Sequence, residues 1–147
     1  MNLIRPYRQT DQQSVLNLFQ SNTPEYFDFS EKVELLDYLN HKLEDYFVVE
    51  QNGVVIGSGG INYFYEEKKA RLSWDIVSPQ SQGKGVGTVL THYRLNLIKR
   101  LEQIQVIEVR TSQFSNGFYL QQGFRIKSIE KDYWASGFDL YLMEYYG

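Results

Sequence analysis

The run Gln82-Gly83-Lys84-Gly85-Val86-Gly87 has the residue types and spacing to do chemistry. Three glycines at alternate positions strip side chains from a tight turn, so successive backbone N–H groups can point at one anion. A helical pattern follows, and its N-terminus adds unpaired N–H groups and the positive end of a dipole. Together these make a seat for a phosphate or pyrophosphate, to which Lys84 can add a point charge. Neither G-x-x-x-x-G-K-[ST] nor G-x-G-x-x-G occurs at this loop, which removes the nucleotide P-loop and the dinucleotide fingerprint.

Composition narrows the remaining chemistry. There is no Cys, so disulfides, thiolate nucleophiles and Cys-based zinc sites are excluded. His41 and His92 have no partner at metal-ligating spacing, so no metal is expected. A net charge of −3 and a pI near 5.4 argue against nucleic acid as the main partner and permit a cationic substrate. The start, MNLIRPYRQTD, has no long apolar stretch, and no run reaches the length of a membrane span. A soluble, cytoplasmic protein is the expectation. The aromatic share of 16%, with 12 Tyr, fits half-buried strands; an aromatic-walled cleft is the sharper reading.

The elements that must position this loop can be read from periodicity. A chain of 147 residues without repeats or linkers is expected to form one domain, 1–147. A short strand at Leu3–Tyr7 precedes a helix from about Asp11 to Gln20, with Thr10 and Gln13 resembling a capping box. Ser30 and Glu31 can open a second helix through Leu35, Leu36 and Leu39. Strands are expected at Tyr46–Glu50 and Val54–Tyr65, joined by an Asn52-Gly53 hairpin turn. Gly57, Gly59 and Gly60 suggest a bulge or bend within the second of these. A third strand at Ala70–Val77 leads into the glycine loop.

The helix from about Gly85 to Leu101 should present Val86, Val89, Leu90, Tyr93, Leu97 and Leu101 on one face. A strand at Ile104–Arg110, a short helix capped by Ser112 and ended by Gly123, and strands near Arg125–Glu130 and Phe138–Tyr145 complete the chain. The order β-αα-βββ-α-β-α-ββ describes a mixed α/β sheet with helices on both faces.

Strand, V-x-P, Q-x-x-G-x-G, helix resembles motif A of the GNAT N-acetyltransferase superfamily; Val77, Pro79 and Gln82 to Gly87 match it in type and spacing. Gly117 to Phe124 (GFYLQQGF) resembles the family's second motif, with Tyr119 four residues before Gly123-Phe124. The resemblance implies a GNAT-like, mostly antiparallel sheet of about six or seven strands, with a central parallel pair splayed to admit acetyl-CoA. It implies that backbone groups of Ile76, Val77 and Ser78 meet the pantetheine. It implies that Gln82, Gly83, Lys84, Gly85, Val86, Gly87 and Thr88 hold the pyrophosphate. Ser112 stands where many members carry an Asn, and it is expected to cap the helix and touch the coenzyme.

The implied reaction is direct attack of a primary amine of a small molecule or peptide on the thioester of acetyl-CoA, the co-substrate. An alkylamine with a pKa near 10.4 must lose a proton, and the departing thiolate must be stabilised. Tyr119 is the expected general acid, also touching the coenzyme. Asp75, on the strand face of Val77, is a candidate base, with Glu25, Asp28 and Glu31 as alternatives. Trp74 faces the other way and is expected to pack. A homodimer is a further expectation from the resemblance. A non-catalytic acyl-CoA-binding regulatory module is the competing reading; it would keep the glycine loop but needs no acceptor cleft.

Overall fold

The computed structural model describes residues 2–147. Seven strands form one sheet: β1 (Asn2–Pro6), β2 (Asp45–Gln51), β3 (Val54–Phe64), β4 (Lys69–Val77), β5 (Val106–Thr111), β6 (Phe124–Ala135) and β7 (Phe138–Tyr145). Their spatial order is β1-β2-β3-β4-β5-β7-β6. Helices α1 (Gln12–Ser21) and α2 (Lys32–His41) cover one face, and α3 (Val86–Lys99) and α4 (Asn116–Gln121) the other. Each face has its own core. Leu72, Leu90, Ile98, Phe124 and Met143 belong to the α3–α4 side; Val15, Phe19, Leu35, Val48 and Ile76 belong to the α1–α2 side. No helix among the described residues is long and apolar enough to cross a membrane.

The Asn52-Gly53 turn forms as its residue types require, with both residues at positive φ (52° and 80°). The entry to α1 differs from expectation. The Asp11 carboxylate, not Thr10, accepts the Arg8 N–H (2.8 Å) and is itself gripped by Arg5 at 2.8 and 2.9 Å. An aspartate bonded to both a backbone N–H and a guanidinium outcompetes a neutral hydroxyl. At α2, Glu31 reaches back to the Asp28 N–H (2.9 Å) while Asp28 accepts from Ser30.

Strands β4 and β5 pair in parallel over Lys69–Leu72 and Val106–Val109. The register between β3 and β4 slips just beyond: Ser58 opposes Ile76 but Gly60 opposes Ser73, so β4 holds one extra residue opposite Gly59. Trp74 sits in this bulge at φ 51°. The bulge expected within β3 exists against β2, where Ile56 beside Gly57 is the extra residue; a second, against β4, has its extra residue on the facing strand.

The buried stripe of α3 is Val86, Leu90, Arg94 and Ile98, flanked by Thr91 and Leu95. Val89 and Tyr93, expected on that face, are 48% and 37% exposed. The true stripe runs through a charged residue, which a reading of apolar periodicity passes over.

Candidate active site

Between β4 and α3 a short 3-10 turn (Pro79–Ser81) leads into the glycine loop. Gly83 and Gly85 take positive φ, 76° and 85°, and Gly85 caps α3. The first helical bond is from the Val89 N–H to the Gly85 carbonyl (3.0 Å), which leaves the N–H groups of Val86, Gly87 and Thr88 without a helical acceptor. Among the described residues the Gly83, Lys84 and Gly85 N–H groups donate to no other protein group. A side chain on Gly87 would meet Phe118 of α4 at 3.2 Å, so α3 and α4 come together through that glycine. The Val86 side chain is buried in the core, so Val86 can offer a ligand its backbone; Lys84 is exposed, and the Thr88 hydroxyl accepts from Gln122 at 3.3 Å.

The Gln82 side chain braces the loop from within. It donates to the Val77 carbonyl (3.1 Å) and to Asn22 (3.0 Å), and Asn22 donates to the same carbonyl (3.0 Å). Asn22, at the end of α1, was not legible as a site residue; an Asn ending a helix is ordinary capping chemistry. The Ser78 N–H is committed to the Ile56 carbonyl at 2.8 Å. By antiparallel alternation the Val77 N–H therefore points away from β3, into the gap beside β5, while Ile76 shares the β3-directed parity of Ser78.

Two cavities meet across the splayed strands. One, of about 440 Å³, is walled by the glycine loop, Val77, Phe118 and Tyr119. The other, of about 990 Å³, lies toward α2 and is walled by Trp74, Arg110 and Glu34 among others. Tyr26, Phe27, Asp75, Ser115 and Tyr119 line both.

Asp75 and Tyr119 are thus brought together at the junction, where the Tyr119 hydroxyl donates to Asp75 Oδ2. Arg94 completes the group. Its guanidinium, 0% exposed, holds Asp75 with two bonds of 2.5 and 2.8 Å and also donates to the carbonyls of Gly60 (3.0 Å) and Leu90 (3.2 Å). Burial opposes the charge on Arg94, but the Asp75 carboxylate more than offsets it, and the guanidinium stays protonated. Burial first, and then the Asp75 charge, push the Tyr119 hydroxyl well above the ordinary phenol range. A side chain at Gly59 would lie 2.7 Å from Asp75 Oδ1 and 3.0 Å from Arg94 Nη1, so this glycine makes room for the pair. The signal that could have found Arg94 is its four-residue step from Leu90 and Val86 on an otherwise apolar stripe.

Ser112 is placed differently from expectation. Ser115 occupies the N-cap of α4, and Ser112 Oγ instead accepts the Phe114 N–H at 3.2 Å. Ser112 is buried in the wall of the larger cavity, away from the glycine loop. The helix begins later because the Ser112 carbonyl takes the N–H groups of Ser115 (3.1 Å) and Asn116 (2.9 Å) in a turn before it. Trp74 packs as expected, against Phe27, Phe19 and Tyr38. Of the alternative acids, Glu31 is buried in the larger cavity's wall, and burial raises its carboxyl to about 7. Neither Glu25 nor Asp28 lines either cavity.

The model of the acetyltransferase (GNAT) family matches residues 12–124. An amino-acid acetyltransferase of Actinobacillus pleuropneumoniae serotype 3 (strain JL03) is 30% identical over 92 residues, covering 57% of this chain and 20% of that protein. The chain thus spans about a fifth of the length of the curated relatives it matches. Among solved structures, the ribosomal-protein-S18-alanine N-acetyltransferase of Escherichia coli superposes with a TM-score of 0.80 at 16% identity, covering 99% of this chain and 93% of that one. An aminoglycoside 6'-N-acetyltransferase complexed with coenzyme A superposes with a TM-score of 0.75 at 13% identity, covering 97% and 95%. At these identities the likeness is one of fold.

Proposed function

We propose that this chain, which belongs to the acetyltransferase (GNAT) family, transfers the acetyl group of acetyl-CoA to a primary amine by direct attack. The observation that carries this reading is the meeting of two cavities at Tyr119 and Asp75, one beside the glycine loop's unpartnered N–H groups and one away from them. A module that merely bound acyl-CoA would need the first cavity and not the second.

In this reading the unpartnered N–H groups of Gly83 to Thr88 receive the pyrophosphate, with Lys84 adding charge at the rim and Gln82 holding the loop in shape. The Val77 N–H faces the gap between β4 and β5 and donates to the pantetheine or to the acetyl oxygen as negative charge develops there. The positively turned glycines and the close α3–α4 contact at Gly87 fit such a ligand, because side chains at these positions would strain or obstruct the seat.

The proton inventory follows from the buried group. Tyr119 keeps its proton across the physiological range, so it is always a donor. Rotation of its hydroxyl from Asp75 toward the thioester sulfur does two things at once. The departing sulfur gains a proton donor, and Asp75 Oδ2 is freed to accept a proton from the attacking amine, directly or through water. Asp75 keeps both bonds to Arg94 throughout. The amine enters neutral, its ammonium proton already left to solvent; as the amide forms and the C–S bond breaks, one further amine proton goes to Asp75 and the Tyr119 proton to sulfur. Asp75 then returns its proton to the phenolate, and the products are amide and thiol.

The acceptor lies outside what fold likeness conveys. The similar proteins are named for an amino acid, a ribosomal-protein alanine and an aminoglycoside. The test is thiol release from acetyl-CoA over a panel of amines, comparing wild type with Tyr119→Phe. Turnover in the variant should fall on the order of a hundredfold or more, with the acetyl-CoA KM within about twofold. Wild-type turnover in the variant removes Tyr119 from the acid role. Coenzyme binding with no turnover on any amine favours the binding module.

A further inference from the structure

The larger cavity is electrically polar, and its cationic end rests on a single guanidinium. Arg5, Arg71 and Arg94, the other arginines that are not fully exposed, each pair with a carboxylate. Arg110 has no carboxylate within ion-pair distance among the described residues. Val109 packs into the α3-side core, so strand alternation turns its neighbour Arg110 to the opposite face, into the larger cavity.

Arg110 is also held. Its guanidinium carbon lies 5.2 Å from the Tyr133 ring centre and 5.3 Å from that of Trp134, and its Nη2 donates to the Tyr133 hydroxyl at 2.6 Å. The two rings stand at 89° to each other, and Trp134 Nε1 is anchored to the Thr111 carbonyl at 3.1 Å. The clamp exists because β6 leaves its ladder with β7 between Glu130 and Ala135, and the excursion reaches past β7 to cover β5. A guanidinium fixed in orientation, with most of its N–H fork unused, is preorganised for a planar anion.

The opposite wall has the other sign. Glu34, Asp37 and Glu44 line it, with Lys42 committed to Asp37 at 3.1 Å. From this polarity we infer that the acceptor is an amino carboxylate, whose carboxylate is received by Arg110 while its amine faces the Asp75–Tyr119 junction. A doubly charged phosphate would meet one guanidinium and several acids, so a single carboxylate is the better match. Arg110, Asp75 and Tyr119 all line this cavity, so a molecule within it can meet both the guanidinium and the junction. The inference rests on the acetyl-transfer reading above and names its substrate class.

The experiment compares matched acceptors by thiol release: an α-amino acid, its amide and its decarboxylated amine, with an ω-amino acid series to place the carboxylate. Wild type should prefer the free carboxylate by about ten- to a hundredfold in kcat/KM, the range of a charge-assisted hydrogen-bonded pair. In Arg110→Gln that preference should collapse to within about threefold, with Arg110→Lys intermediate because it keeps the charge and loses the fork. Should Arg110→Gln fail to fold, amine-free short carboxylates must still inhibit the wild type competitively against the amine and not against acetyl-CoA. Equal or better turnover of the amide and the decarboxylated amine overturns the inference and leaves acetyl transfer standing. So does an unchanged preference in Arg110→Gln, or coenzyme binding without turnover of any amino carboxylate. Failure to bind coenzyme A instead overturns the reading beneath it.

Discussion

Removing both members of the Asp75–Arg94 pair should cost little more than removing either one. Arg94 is fully buried, and the Asp75 side chain is 15% exposed, so each charge depends on the other for compensation. Arg94→Met leaves a carboxylate facing the core, and Asp75→Asn leaves a guanidinium there. Either change should destabilise by about 3–5 kcal/mol. Arg94→Met belongs at the upper end, because the Gly60 and Leu90 carbonyls also lose a donor. For a chain of this size that is a fall in Tm of roughly 6–20 °C. The double variant Asp75→Asn/Arg94→Met removes both charges and should cost little more than one single change, giving a coupling energy of about 3 kcal/mol. The assay is urea unfolding of all four proteins at one pH and salt concentration. Additivity within about 0.5 kcal/mol would refute the reasoning, since independent sites add to that precision and a shared buried pair cannot.

Gly59→Ala should destabilise by about 1–3 kcal/mol through crowding of the pair, and should lower turnover by displacing Asp75. Gly57→Ala, whose new methyl would meet a Val86 methyl at 3.1 Å and no charged atom, is the control; equal losses would count against the Gly59 assignment. Glu31 supplies a pH prediction with a definite sign. Its carboxyl is raised by burial from 4.5 to about 7 in the fold, so the folded state holds the proton more tightly than the unfolded chain. Its contribution is most favourable below about pH 4.5 and is lost as pH rises through about 7, a change on the order of 3 kcal/mol. Glu31→Gln should therefore gain on wild type between pH 5 and pH 8 in urea unfolding, and a difference that stays flat with pH would sink this account.

The order of elements along the chain, the hairpin and the tight turns of the glycine loop were legible because each is local. Asn52-Gly53 and the glycines of 83–87 act through φ and spacing within a few residues. What escaped was long-range. Asn22 and Gln82 are 60 residues apart and meet at one carbonyl. Arg94 went unmarked because its partner lies 19 residues away on another element. Ser112 was read as the cap from its residue type, but the backbone turn before α4 moved the cap three residues on. The Arg110 clamp depends on an excursion of β6 that no local pattern marks.

The opening between β4 and β5 and the charged group beside it have a common cause. Ala70 and Leu72 face the α3-side core before the bulge. By simple alternation Trp74 and Ile76 would follow them, and Asp75 would face α2. The extra residue reverses this: Trp74 and Ile76 join the α1–α2 core, while Asp75 turns to Arg94 and Val77 to the α3 side. Parallel pairing with β5 ends at Leu72, immediately before the bulge, as expected where an inserted residue bends a strand out of its ladder. Gly59 is the residue that makes this possible, since a side chain there would strike the very carboxylate the bulge delivers. One inserted residue thus opens the sheet and aims the Asp75–Arg94–Tyr119 group into the opening, so that neither can be shifted without the other.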